Sequence, residues 1–519
     1  MKKIITLLSL VIVAACSSST GVKSINDECF CDQKYVRSNL EFLASDELEG
    51  RETGERGNDL ASLFIASELK KYSVKPFGDS GTYFQNIEFL SKRFLESSYF
   101  SVCNKEGNDL FELKIGNDFF TQTSSNSEKD SVHVSGQIVF AGYGITADEY
   151  NYDDYEDIDI KNKIVVILWG EPYSIDDNFF DGEKPTKYYN PQTKAEIAKE
   201  KGAAGFLILP GAEVLQYWSL LKDMVLQSNM YMKEPDTSSV IPPRMVGAII
   251  SEESAKKLFA GEEMEFDKIQ QMLEEKEIPR AFELNKNIDC HIQMRQEEVT
   301  SCNVVGIIEG IDPVLKNEYI AIGAHYDHVG VTNGKVFNGA DDNASGTTSI
   351  LEVARQLSQF KSNKRSIIVL LYTGEEKGLY GSAFYIEKFA GINSVKANIN
   401  LDMVGRGSLD TMFVIGTDHS VKEFDETIQK INLESAGFVF DYSLSNSNFY
   451  YQSDHYNFSK FGIPVVFFFD NMSVDLHQPT DDIEKINFEK ICKTVGLVKN
   501  LTLEFANTKM KFGNIDKAE

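Results

Sequence analysis

The sequence predicts an α/β protein: a mixed, mostly parallel sheet covered by helices on both faces, with a β-rich module inserted into it. Three observations predict this. From about residue 295 onward, apolar runs within "EYIAIGAH", "RSIIVLLYTGEE" and "IPVVFFFD" alternate with amphipathic helical stretches. Strands that are apolar throughout are buried on both faces, as in a parallel sheet flanked by helices. Between residues 97 and 293 the rhythm differs, with short β-like runs separated by turns. Finally, 519 residues exceed one ordinary domain, and a hydrophobic content of 42% is enough for packed cores.

Taken in order, the chain opens with "MKKIITLLSLVIVAAC". Two lysines precede an apolar run, Ile4 to Ala15, that is too short to span a bilayer and has the layout of a secretory signal. The ending Val13-Ala14-Ala15-Cys16 resembles a bacterial lipobox, which makes residues 1–16 a lipoprotein signal and Cys16 the lipid-modified residue. Residues 17–34 read as a tether. Residues 35–96 read as helical, with apolar residues at helical spacing in "YVRSNLEFLASDELEGR" and "GNDLASLFIASELKKYSV". Residues 97–293 form the inserted module, with β-like runs at "SGQIVFAGYGI", "KNKIVVILWG", "AAGFLILPG" and "MVGAIIS" and a helical piece at "TKAEIAKEKG". Residues 294–508 carry the strand–helix alternation, and 509–519 form a tail.

The chain has 79 acidic and 52 basic residues, a formal charge of −27. That balance argues against nucleic acid and against an anionic membrane surface as partners, so membrane contact is expected only through the lipid anchor. Six cysteines remain after Cys16, and an exported protein could pair them, but their irregular spacing does not say which pair. Cys29 and Cys31 have no cysteine–histidine cluster nearby and read as structural or free thiols.

Chemistry collects where the strands end. His325 and Asp327 follow "YIAIGA". Asp341 and Asp342 open the helix "ASGTTSILEVAR". Glu375 and Glu376 follow "SIIVLLYTG", Asp402 follows "VKANINL", and His477 follows "IPVVFFFD". Open α/β sheets bind ligands at the carboxyl ends of their strands. Imidazoles and carboxylates suit zinc, and a pair of metals needs a bridging carboxylate, a few terminal ligands and a base for water. Two of the chain's seven histidines fall in this set.

The ordered motifs "GAHYDHVG", "FNGADDNASGTTSILEVAR", "TGEEKGLYGS", "NLDMVG", "SDHYNFSKFGIP" and "LHQPTDD" resemble the co-catalytic dizinc aminopeptidases, in the clan of glutamate carboxypeptidase II. Residues 97–293 resemble a protease-associated (PA) domain, and "LEFLASDELEGR" the family's N-terminal helices. The resemblance implies the zinc exopeptidase fold and two Zn2+ per chain, with His325 and Asp402 on one ion, Glu376 and His477 on the other, and Asp342 bridging. It makes Glu375 the general base and Asp327 the residue that orients His325. Tyr450 matches a tyrosine that stabilises the oxyanion, although Tyr451 is adjacent. His328 and His455 read as structural. The resemblance also implies a cis peptide bond between Asp342 and Asn343.

The expected reaction is removal of N-terminal residues from peptide substrates by a water bridging two zinc ions. Alternatives are a carboxypeptidase or an amidohydrolase of the same fold, and a receptor-like binding protein without catalysis. The same N and O donors accept other divalent metals. Leu476 stands where relatives often carry tyrosine.

Overall fold

The 27-residue strand Phe282–Ile308 belongs to two sheets at once, and the architecture follows from it. The computed structural model describes residues 31–513, apart from 122–130, 177, 183, 219–220, 222–224, 227–228, 234–245, 333, 446 and 471–472. The expected signal, Cys16, Cys29 and most of both the tether and the tail lie outside the described residues.

The chain enters through helix α1 (Gln33–Leu43), capped by Asp32, whose side chain accepts from the amides of Lys34 and Tyr35. Helix α2 (Arg56–Lys71) follows a short 3-10 segment, Asp46–Arg51. The expectation of helix across 35–96 fails at its end, because Phe84–Phe94 is a strand, β1. Its Ile87 and Phe89 are buried while Asn86 and Glu88 are exposed, a two-residue period that the preceding helical run obscures.

The first sheet contains β2 (Tyr99–Asn104), β3 (Asp109–Lys114), β4 (Phe119–Thr121), β5 (Ser131–Phe140), β6 (Ile164–Leu168), β7 (Gly205–Leu209) and β9 (Val246–Ile250). Between β7 and β9, the short strand β8 (Asn229–Met232) leaves this sheet and pairs with β1. The long strand is β10, and its first half lies between β2 and β5. This sheet has its own core, with Phe100, Phe140, Val166, Leu207, Phe259 and Phe282.

The second half of β10 pairs with β1 and then with β12 (Ser366–Tyr372). Beside β12 lie β11 (Tyr319–His325), β13 (Val395–Leu401) and β16 (Val465–Phe469), all parallel to it. An antiparallel strand, β14 (Thr411–Ile415), continues the sheet beyond β16, and β15 (Val439–Asp441) pairs parallel to β14. The strands β11, β12, β13 and β16 are buried along almost their whole length, as their unbroken apolar sequences require. Helices α1 and α2, the helix Gly346–Phe360 and the C-terminal helix Phe488–Asn507 cover one face. The helix Tyr380–Lys388 packs with Val305, Ile368 and Leu370 on the other. A disulfide, Cys31–Cys492, staples the start of the described chain to the C-terminal helix. Among the described residues Cys103, Cys290 and Cys302 form no disulfide. Among the described residues no helix is long and apolar enough to cross a membrane.

Candidate metal centre

The parallel strands end together, and the polar residues that follow them meet there. His325 is the last residue of β11. Glu375 and Glu376 lie three and four residues beyond the end of β12, and Asp402 follows β13 directly. His477 lies in the loop after β16, at φ 51°, a left-handed conformation uncommon for a residue with a side chain. Asp342 sits in a π turn, Ala340–Ser345, that leads into the helix Gly346–Phe360.

Two donor groups share Asp342. In one, His325 Nε2 lies 3.2 Å from Asp402 Oδ1 and 3.4 Å from Asp342 Oδ1. In the other, His477 Nε2 lies 3.0 Å from Glu376 Oε2 and 3.2 Å from Asp342 Oδ2. Each oxygen of Asp342 thus faces a different histidine. Glu375 stands aside from both pairs, with its Oε2 3.9 Å from His325 Nε2.

His328, expected to be structural, is drawn into the second group. Its Nδ1 lies 2.8 Å from Glu376 Oε1 and 3.7 Å from Asp342 Oδ2. The sequence signal was its place three residues after His325, which can reach the neighbouring donor group once the chain turns. His455, also expected to be structural, is buried with its ring 4.6 Å from that of Phe467, away from both groups.

The loop that carries Asp342 is tied down by main-chain bonds. The amides of Asp341 and Asp342 donate to the Asp481 carboxylate at 3.0 to 3.1 Å. Asp341 Oδ1 accepts from the Gly405 amide at 2.8 Å, and Asn343 Nδ2 donates to the Leu401 carbonyl at 3.0 Å. The Asp342–Asn343 peptide bond is cis. Gly339, at φ 57°, packs so closely that a Cβ there would collide with the Asp342 carbonyl and the His328 ring.

Asp327 is fully buried beneath the site. Its carbonyl oxygen lies 3.2 Å from His325 Nδ1, and its carboxylate accepts from Thr53 Oγ1 at 2.9 Å and from the amides of Glu375 and Glu376 at 3.3 and 3.4 Å. Arg51, which the sequence did not single out, is also buried here. It donates to the carbonyls of Tyr326, Asn338, Gly339 and Leu43, so one cation ties together the loops after β11 and before Asp342. The signal was the "EGR" that ends the 3-10 segment.

Tyr450 is buried. Its hydroxyl meets Ser459 Oγ and its ring stacks on His419 at 4.0 Å, so the hydroxyl is engaged within the protein instead of being held out toward substrate. Tyr451 beside it is exposed. Leu476 joins the apolar group of Met403, Tyr450, Phe467 and Phe469 next to His477.

The electrostatics fit divalent cations. Burial raises Asp342, and the charge of Glu376 raises it further. Burial lifts Glu375 well above the ordinary carboxylate range, and His325 only partly opposes it. Burial also works to raise Glu376, but His477 and His328 outweigh it and hold that group well below the usual range. For His477, burial lowers the imidazole, yet Glu376 and Asp342 overcome it and push it up to about 11. A buried set of carboxylates this close needs positive charge. The His325, Asp342 and Asp402 group and the His328, Asp342, Glu376 and His477 group each offer N and O donors within 4.8 Å of one another. Those are the donors zinc takes.

Comparison with known proteins agrees. The profile of Peptidase family M28 matches residues 303–502. A probable leucine aminopeptidase of Arthroderma benhamiae is 31% identical over 210 residues, covering 38% of this chain and 57% of that protein. Aminopeptidase YwaD of Bacillus subtilis is 30% identical over 232 residues, covering 42% and 48%. The chain thus spans about half the length of these curated relatives. Among solved structures, the aminopeptidase from Aneurinibacillus sp. strain AM-1 shares the fold, with TM-score 0.58 at 18% identity over 93% of this chain and 95% of that one. BSAP, a zinc aminopeptidase from Bacillus subtilis, has TM-score 0.56 at 20% identity over 95% and 98%. Through residues 303–502, with its donor groups at the strand ends, this chain is similar to peptidase family M28.

Proposed function

We propose that this protein is a metal-dependent aminopeptidase that holds two divalent ions, zinc in the first instance, and removes N-terminal residues from peptides. The observation that carries the reading is the division of Asp342 between two histidine–carboxylate groups, Oδ1 toward His325 and Oδ2 toward His477. His325 and Asp402 would hold one ion, His477 and Glu376 the other, with Asp342 between them. Ions held there would acidify water and polarise a carbonyl.

The protein's own groups do the rest. Glu375, outside the donor pairs and lifted in pKa by burial, takes the proton of the attacking water on its carboxylate and delivers it to the departing amine. Asp327 fixes the backbone of Glu375 and Glu376 and backs His325. Leu476, next to His477 in sequence and half-buried against the apolar group of Met403 and Phe467, suits an apolar N-terminal side chain. The oxyanion role for Tyr450 requires its hydroxyl to exchange Ser459 for substrate.

A carboxypeptidase needs a free cation for the terminal carboxylate. Arg51 is committed to carbonyls, Lys377 Nζ lies 3.0 Å from Glu52 Oε1, and Arg406 Nη2 lies 2.6 Å from Asp475 Oδ2. This favours the aminopeptidase reading. The named activities of the relatives support it as well.

Residues 97–293 act, in this reading, as a protease-associated lid that limits substrate size, fastened to the peptidase sheet by β8 and β10. In this reading a lipid on Cys16 holds the protein at the bacterial cell envelope, and the "VAAC" motif supports it. The Cys31–Cys492 disulfide suits such an oxidising compartment. The test is hydrolysis of a panel of amino-acyl substrates, their N-acetylated forms and C-terminal substrates, with and without chelator. The reading requires cleavage of free-amine substrates that stops on chelation. Cleavage confined to C-terminal or acetylated substrates, or indifference to chelator, contradicts it.

A further inference from the structure

The inserted sheet places three donor side chains on one outer face. His133 on β5 stands directly across from His291 on β10, and Asp289 lies two residues before His291 on the same side. His133 Nε2 contacts Asp289 Oδ1, and the two imidazole rings lie 4.5 Å apart at 36°. One donor atom from each of the three residues lies within 4.8 Å of the other two. On the far side of β10, Tyr99 is registered against His291 and stacks on its ring at 5.2 Å and 9°. That stack fixes one imidazole, and the buried Cys290 and Ile292 between the three residues and the core fix the strand. The side chains of His133 and Asp289 are 57% and 43% exposed, so the site is open to ions from solution.

A bare histidine–aspartate pair accounts for His133 and Asp289 alone. It does not account for a second imidazole with a donor atom within 4.8 Å of both, held there by an aromatic stack. Two imidazoles and one carboxylate on rigid neighbouring strands form an N2O donor set with open positions, which suits first-row divalent ions such as Zn2+ and Cu2+. We propose that His133, Asp289 and His291 form a metal site separate from the peptidase centre, which binds a divalent first-row transition ion and clamps β5 to β10. Donor chemistry ranks Cu2+ above Zn2+ in affinity there. This inference does not rest on the proposed peptidase activity.

The test uses the full chain with its peptidase centre saturated with Zn2+, titrated with Cu2+ and followed by electron paramagnetic resonance and calorimetry. The wild type is expected to bind one additional Cu2+ with nitrogen coupling from two imidazoles. In the double variant His133→Ala/His291→Ala that equivalent should weaken by at least about tenfold. Asp289→Asn should weaken it without removing the nitrogen coupling. Circular dichroism and the melting temperature of the double variant report that it folds, which is expected because His133 and Asp289 are largely exposed. Equal Cu2+ uptake by wild type and double variant, or no uptake beyond the saturated centre, overturns the proposal. If the double variant does not fold, Asp289→Asn and the wild-type nitrogen coupling decide in the same way.

Discussion

The Asp327 carboxylate accepts the Glu375 amide at 3.3 Å while the Asp327 carbonyl lies 3.2 Å from His325 Nδ1. One buried residue therefore contacts both the His325 ring and the backbone of Glu375. Partners of this kind support metal affinity and activity by about 10- to 100-fold. Asp327→Ala keeps that carbonyl but removes the carboxylate, which lies 3.7 Å from His325 Nδ1 and accepts from the Glu375 and Glu376 amides. It should weaken zinc binding by about that factor, measured by competition with a chromophoric chelator, and should lower kcat as Glu375 loses its anchor. Unchanged zinc affinity in that variant would show that Thr53 and the backbone suffice.

Arg51 is a cation held by carbonyls alone, and burial lowers its pKa to about 10 although Asp342 and Asp327 favour its charge. Replacing it with methionine leaves several buried carbonyls unpaired, each worth about 1–3 kcal/mol. Arg51→Met should cost at least about 3 kcal/mol in urea denaturation. A loss under about 1 kcal/mol would mean that the loops carry themselves.

His455 gives a pH dependence of stability. Burial lowers its pKa from 6.5 to about 3, so the folded protein keeps it neutral where the unfolded chain protonates it. The sign follows: this contribution is intact above pH 6.5 and is lost as the pH falls from there toward 3. At pH 5 the loss is about 2 kcal/mol. His455→Phe, beside Phe467, should flatten that acid limb in unfolding curves at pH 7 and pH 5 compared with wild type. An unchanged limb would place the acid sensitivity elsewhere.

The parallel core and the site were legible for one reason. Buried strands such as "SIIVLLY" announce themselves by unbroken apolarity, and the polar residues after them fall at their ends whatever the loops do. The strand Phe84–Phe94 was not legible, because Lys92 and Arg93 mask its two-residue period and it follows a strongly helical stretch. The excursion of Asn229–Met232 to the other sheet depends on a tertiary pairing with Phe89–Lys92 that no local pattern carries. Arg51 and His328 were missed for a related reason. Their roles come from chain segments far apart in sequence, Asn338 and Gly339 for Arg51 and Glu376 for His328, and neither residue lies in a periodic pattern.

The central claim is that Glu375 moves protons while its neighbours hold metal. Zinc content and turnover of Glu375→Gln, measured on the same preparation, test it most directly. The account predicts wild-type zinc with kcat reduced by at least about 100-fold. Turnover near that of wild type, with zinc retained, would contradict it.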